Sequence, residues 1–69
     1  MQWAIDTFRV VSYGKHGFVY YIELIGSDYV LDVVHDEKVL MTHKTNTIAE
    51  ARKLAEEDKE WRTHMWETL

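Results

Sequence analysis

Between Phe18 and Asp36, two runs rich in β-branched and aromatic residues, FVYYIELI and DYVLDVVHD, flank the dipeptide Gly26-Ser27. Such a pair closes a tight two-residue hairpin with positive φ at the glycine, and the turn fixes the register of both strands. With Ile25 facing Asp28, the pairs Leu24/Tyr29, Ile22/Leu31, Tyr20/Val33 and Phe18/His35 share one side of the ribbon, because side chains alternate with period two. The other side then carries Glu23 opposite Val30, Tyr21 opposite Asp32 and Val19 opposite Val34. Sliding the turn by one residue would set Glu23 against Asp32 and mix apolar with acidic positions on both faces, at a cost in stability. The first register is therefore expected. It gives one strongly apolar face and one mixed face.

The remaining segments read as extension of this hairpin and cover for it. Gln2 to Tyr13 suggests a first strand whose alternation slips near Asp6-Thr7, where Trp3 and Ile5 point one way and Phe8 and Val10 the other, so a bulge or short lead-in is expected. Gly14 to Gly17 is a turn. Asp36-Glu37-Lys38 is a second turn, followed by a short edge strand over Val39–His43. Thr47-Ile48-Ala49-Glu50 is a capping box, in which the Thr47 hydroxyl accepts from the Glu50 amide, and it starts a helix. From there Ile48, Ala51, Leu54, Ala55, Trp61, Met65, Trp66 and Leu69 recur on one side as an apolar stripe that only Asp58 and Arg62 interrupt. That charged pair predicts a helix leaving its sheet, or else a pair that orients a partner. A helix over 48–67 is about 30 Å long at 1.5 Å per residue, against about 23 Å for a seven-residue strand, so its last turns are expected to overhang. The predicted fold is α+β: one domain over 1–69, an antiparallel β-meander of three to four strands (about 3–13, 18–25, 28–36 and 39–43) and one C-terminal α-helix packed on one sheet face.

A chain of 69 residues builds a core that supplies only about 3–5 kcal/mol unless something staples it. It has no cysteine, so neither a disulfide nor a Cys-based zinc site is available, which fits a reducing compartment. The first residues lack the pattern of a signal peptide, and the longest apolar run, Phe18 to Ile22, is too short to span a bilayer. A cytoplasmic protein without a membrane partner is expected. The 12 acidic and 8 basic residues give a net charge of −4. Both signs are spread evenly along the chain, and no segment forms a basic arm for a phosphate backbone.

Residues suited to catalysis are sparse. Ser12 lies in a strand and Ser27 in a turn, and neither stands in a nucleophile setting. His16, His35, His43 and His64 are scattered; His35 and His43 with Asp36 could meet on neighbouring strands, but their spacing is not that of a metal site. Glu23 and Asp32 are close enough in this register to perturb each other like an acid/base pair, although solvated face charges account for them equally. No enzyme activity, catalytic residue, metal, cofactor or small-molecule substrate is expected. Two surfaces instead suggest a protein partner or a homodimer. One is the outer sheet face with Val10, Val19, Tyr21, Glu23, Val30, Asp32 and Val34, which a single helix cannot cover while it covers the inner face. The other is the tail with Trp61, Met65, Trp66 and Leu69, side chains of the kind that anchor interfaces. Trp3 and Ile5 folding over the outer face would leave less for a partner.

The turn at Gly14–Gly17, the two central strands and the T-x-x-E-A helix start at Thr47–Ala51 are loosely similar to the arm-binding N-terminal domains of phage integrases, which read DNA with the sheet. That resemblance implies a sheet-based nucleic-acid-binding domain as the alternative. The chain departs from it on the outer face, where Glu23 and Asp32 stand in place of lysines and arginines. Arg9, Lys15 and Lys44 do not make a phosphate footprint, although Tyr13 or Tyr21 could stack on a single-stranded base. Nucleic acid is the less favoured partner. The expected function is that of a small non-enzymatic protein-binding module of the type made by phages and mobile elements, blocking a host nuclease, polymerase or CRISPR effector by surface occupation or nucleic-acid mimicry.

Overall fold

A computed structural model describes residues 1–68 as a five-stranded antiparallel sheet in the order β1-β2-β3-β4-β5 followed by one helix. The strands are β1 (Ala4–Asp6), β2 (Arg9–Tyr13), β3 (Phe18–Ile25), β4 (Asp28–His35) and β5 (Lys38–Thr45), and the helix α1 spans Ile48–Glu67. The central hairpin adopts the expected register, from Ile25↔Asp28 to Phe18↔His35. Gly26 turns with φ of 64°, a conformation that suits a residue without a Cβ.

The N-terminal strand differs from expectation. It is split into two strands that form a hairpin of their own, with Asp6 paired to Arg9 and Thr7 at φ 60°. The slipped alternation at Asp6-Thr7 therefore marks a reversal of chain direction instead of a bulge. A β-branched residue at positive φ is rare, so no glycine announces the turn. Strand β5 is longer than expected and carries the sheet's register shift opposite Val33/Val34, which leaves Leu40 as the extra residue between the pairs Val34↔Val39 and Val33↔Met41.

The core lies between the sheet's inner face and α1. Phe18, Tyr20, Ile22, Leu31 and Val33 meet Ala51 and Ala55, with Ile48 and Leu54 packed around them. Ala51 and Ala55 stand four apart on one helical face, and their small side chains let the helix settle close to the strands. The start of α1 is fixed as the capping box requires, with the Glu50 amide donating to Thr47 Oγ1 at 3.1 Å. Buried Thr45 ties β5 to this cap, its single hydroxyl proton shared between the carbonyls of Tyr29 and Thr47. Trp3 packs against the same inner core, and Ile5 pairs with Val10, which stands opposite Ile22 and so faces inward, not outward as expected. Trp3 and Ile5 therefore both belong to the inner side of the sheet.

The end of the helix does not overhang. Ile48 lies near Leu24 and Tyr29 at the Gly26 end of the hairpin, and Trp66 lies on Phe18 at the other end. The turn at Lys15–Gly17 extends the sheet enough for the last helical turn to reach it: His16 Nε2 is 3.1 Å from Glu67 Oε2.

Candidate protein-interaction surface

The polar pair inside the apolar stripe joins helix to sheet. Tyr20, almost wholly buried on β3, donates its hydroxyl to Asp58 Oδ2 at 2.8 Å. Arg62 donates from Nε and Nη2 to both Asp58 oxygens at 2.9 Å, a bidentate pair whose side chains are only 16% and 12% exposed. Desolvation pushes the Asp58 carboxyl up, but the hydrogen bonds from Arg62 and Tyr20, with the Arg62 charge, hold it below its usual value. Burial, followed by the Asp58 hydrogen bond, pushes the Tyr20 phenol well above its usual value. The bond to Asp58 likewise raises Arg62. Asp58 and Arg62 therefore do not mark a helix leaving its sheet. They hold it on.

This anchor positions a groove. Arg62 lies over Phe18 and Trp61, each ring 5.5 Å from Cζ, and reaches Met41 Sδ with Nη2 at 3.1 Å. Beside it Trp61, Met65 and Trp66 of α1 face Leu40 of β5 and His35 of β4 across an open cleft of about 350 Å³. Trp61 is 58% exposed and Leu40 45%, and Met41 and Met65 are exposed next to them. The bulge makes this possible, because the extra residue swings Leu40 out of the regular alternation toward the helix end.

Trp66 has a second role. Its ring lies 5.5 Å from Phe18, edge-on, and 5.4 and 5.9 Å from His35 and His16. His35 Nε2 in turn donates to the His16 carbonyl at 3.1 Å. Of the expected tail residues, Trp61 and Met65 are thus presented outward, Trp66 is half structural, and Leu69 lies outside the described residues.

The outer-face residues form a different surface on the opposite side of the sheet. Arg9 stacks on Tyr21 with Cζ 3.9 Å from the ring centre, and it stands across from Glu23 and 3.6 Å from Asp6. Asp32 accepts from Thr42 at 2.7 Å. Val30, paired with Glu23 on one side and Lys44 on the other, is only 8% exposed. Val34 is half-buried between Val19 and Val39. The acids here alternate with bases and hydroxyls, and the valines are shielded by their neighbours. Such a face has less to gain from a partner than the groove does.

Glu23 and Asp32 stand on neighbouring strands, but Asp32 faces Tyr21 and Glu23 faces Val30. Among the described residues no group of three or more His, Asp or Glu side chains is gathered for a metal ion, and His35 and His43 pair with Lys38 and Leu31. Among the described residues no helix is long and apolar enough to cross a membrane. Trp61 and Met65 stand out in the sequence by their size and position near the helix end, and the structure exposes both. Leu40 does not stand out there, because only the bulge brings it beside the helix, and Met41 follows it in register with Val33. Compared with models of protein families, with curated proteins and with solved structures, the chain matches none.

Proposed function

We propose that this chain is a small protein-binding module that acts by occupying a partner's surface, without chemistry of its own. The observation that carries the reading is the contiguous exposure of Trp61, Met65, Leu40 and Met41 around the Arg62 guanidinium. Large apolar side chains grouped beside an arginine are the composition of interface hot spots. They sit on rigid elements, since Asp58 and Tyr20 lock the helix that presents them, and a preorganised surface binds with less ordering cost.

A wedge of this kind suits an inhibitor of the phage or mobile-element type, seated on a host nuclease, polymerase or CRISPR effector. Blocking by occupation is favoured over nucleic-acid mimicry, because Arg9 and Lys44 interrupt the acidic run on the outer face. Recognition of nucleic acid through the same sheet face is disfavoured by Glu23 and Asp32.

The double variant Trp61→Ser/Met65→Ser tests the reading. It should keep the wild-type circular-dichroism spectrum and lose complex formation, seen as solution mass and as the proteins retained by immobilised chain, by tenfold or more. Mass and retained proteins that are the same for both chains would sink it.

A further inference from the structure

The groove opens beside a free sheet edge. β5 is the last strand of the sheet and runs for eight residues with its side chains largely exposed. Ile25 and Asp28 close a two-residue turn, so the backbone groups of Asp28, and by alternation those of Val30 and Asp32, face β3. Those of Tyr29, Leu31 and Val33 then face β5, where they meet Thr45, His43 and Met41. The N–H and C=O groups of Thr42 and Lys44 are left pointing away from the sheet. An edge of this length is a ready template for another strand.

Resting on the binding-module reading, we propose that in the free protein this surface is occupied by a second copy of the chain, which a heterologous partner displaces, and that the two copies join by antiparallel pairing of β5 with β5 about a twofold axis at Thr42. Three observations select it. First, side-chain direction and charge choose the register. Centring on Thr42 sets Met41 against His43 on the helix side and leaves no like charges facing each other. Centring on Met41 would instead set Lys38 against Lys44 twice, a like-charge pairing that costs stability.

Second, the twofold keeps both helices on the same side of one continuous sheet. Trp61 and Met65, which lie beside Leu40 at the β5 edge, then face their counterparts across the junction. Third, the area suffices. With full side-chain areas on the order of 150–250 Å², the exposed parts of Leu40, Met41, Trp61 and Met65 amount to roughly 400 Å² per copy. The pair removes about 800 Å² of this from water, and the paired strand edges supply the rest of the ~1,200 Å² at which stable interfaces begin. A C2 contact of this kind closes on itself, so it yields dimers and no filament.

The chain has no cysteine, which makes the geometry directly testable. In the Thr42-centred pair the two Thr42 Cα atoms are about 5.5 Å apart, inside the range a disulfide bridges. Thr42→Cys under mild oxidation should become a disulfide-linked dimer at micromolar concentration. Lys44→Cys, about 14 Å from its own copy at 3.4 Å per residue, should stay unlinked, whereas His43→Cys should link when mixed with Met41→Cys. Unmodified chain should weigh as a dimer at the same concentration. Linkage of Val19→Cys on the outer face with none at Thr42→Cys, or a chain that remains monomeric at every concentration, overturns the proposal. If Thr42→Cys fails to link while Trp61→Ser/Met65→Ser still abolishes capture of another protein, the self-pairing is wrong and the binding module stands.

Discussion

Replacing Asp58 by alanine removes the acceptor that Tyr20 and Arg62 share. The Tyr20 hydroxyl is left in a buried setting without its partner, a loss of about 1–3 kcal/mol. Arg62, with 16% of its side chain exposed, is left without its carboxylate; a fully buried orphan charge would cost about 3–5 kcal/mol, but this guanidinium can swing toward water beside Met41. A total of about 2–3 kcal/mol is expected. In a domain holding about 3–5 kcal/mol that removes half or more of the stability.

Urea unfolding followed by far-ultraviolet circular dichroism reads it directly. With a slope near 1 kcal/mol/M for so small a chain, the midpoint should fall by about 2–3 M. Asp58→Ala/Arg62→Met, which removes the orphan charge, should recover part of the loss. The pH dependence gives a second check. Because the native Asp58 carboxyl sits below its ordinary value, its stabilisation is complete above the unfolded value of 3.8 and is lost as pH falls through the native one. Asp58→Asn should therefore show a shallower acid loss below pH 4. A cost under about 1 kcal/mol for Asp58→Ala, the size of an exposed ion pair, would refute the anchoring role.

Two further outcomes follow from other features. Asp36 and Glu37 form the β4–β5 turn with φ of 54° and 64°, and relief of the strain at an L-residue is worth about 1 kcal/mol. Glu37→Gly should accordingly raise the urea midpoint, and an unchanged or lowered midpoint would show that the turn is not strained. The Tyr20 phenol is held above its ordinary value of 10.0, so its stabilisation is complete below pH 10 and is lost as pH rises above it. Tyr20→Phe should start less stable at pH 7 and lose less between pH 10 and 11; equal alkaline slopes for both chains would contradict this.

The parts of the fold set by neighbouring residues were readable in the chain itself. Gly26-Ser27 fixed the central register because only one pairing separates apolar from acidic positions, and Thr47 with Glu50 marked the start of α1. The turn at Thr7 was not readable, since threonine ordinarily avoids the conformation it adopts there. The Asp58–Arg62 pair showed its spacing on the helix but not its partner, which lies 38 residues away on β3. The same limit hid the groove. Trp61 and Met65 were visible as large side chains near the helix end, whereas Leu40 reaches them only through a bulge that no local pattern in β5 announces.

Every strand of this sheet lies beside its neighbour in sequence, with reversals of only two residues at Thr7-Phe8, Gly26-Ser27 and Asp36-Glu37. Chain closure is thus inexpensive in entropy at each of these steps, and hairpins of this sort form in about 1–10 μs. The contact that spans the molecule is helix against sheet, where Asp58 meets Tyr20 and Glu67 meets His16 across 51 positions. Helix docking is then the contact of greatest sequence separation, and it covers the row of Phe18, Tyr20, Ile22, Leu31 and Val33. The polar clasp on Tyr20 is thus also the latch that keeps that apolar face closed.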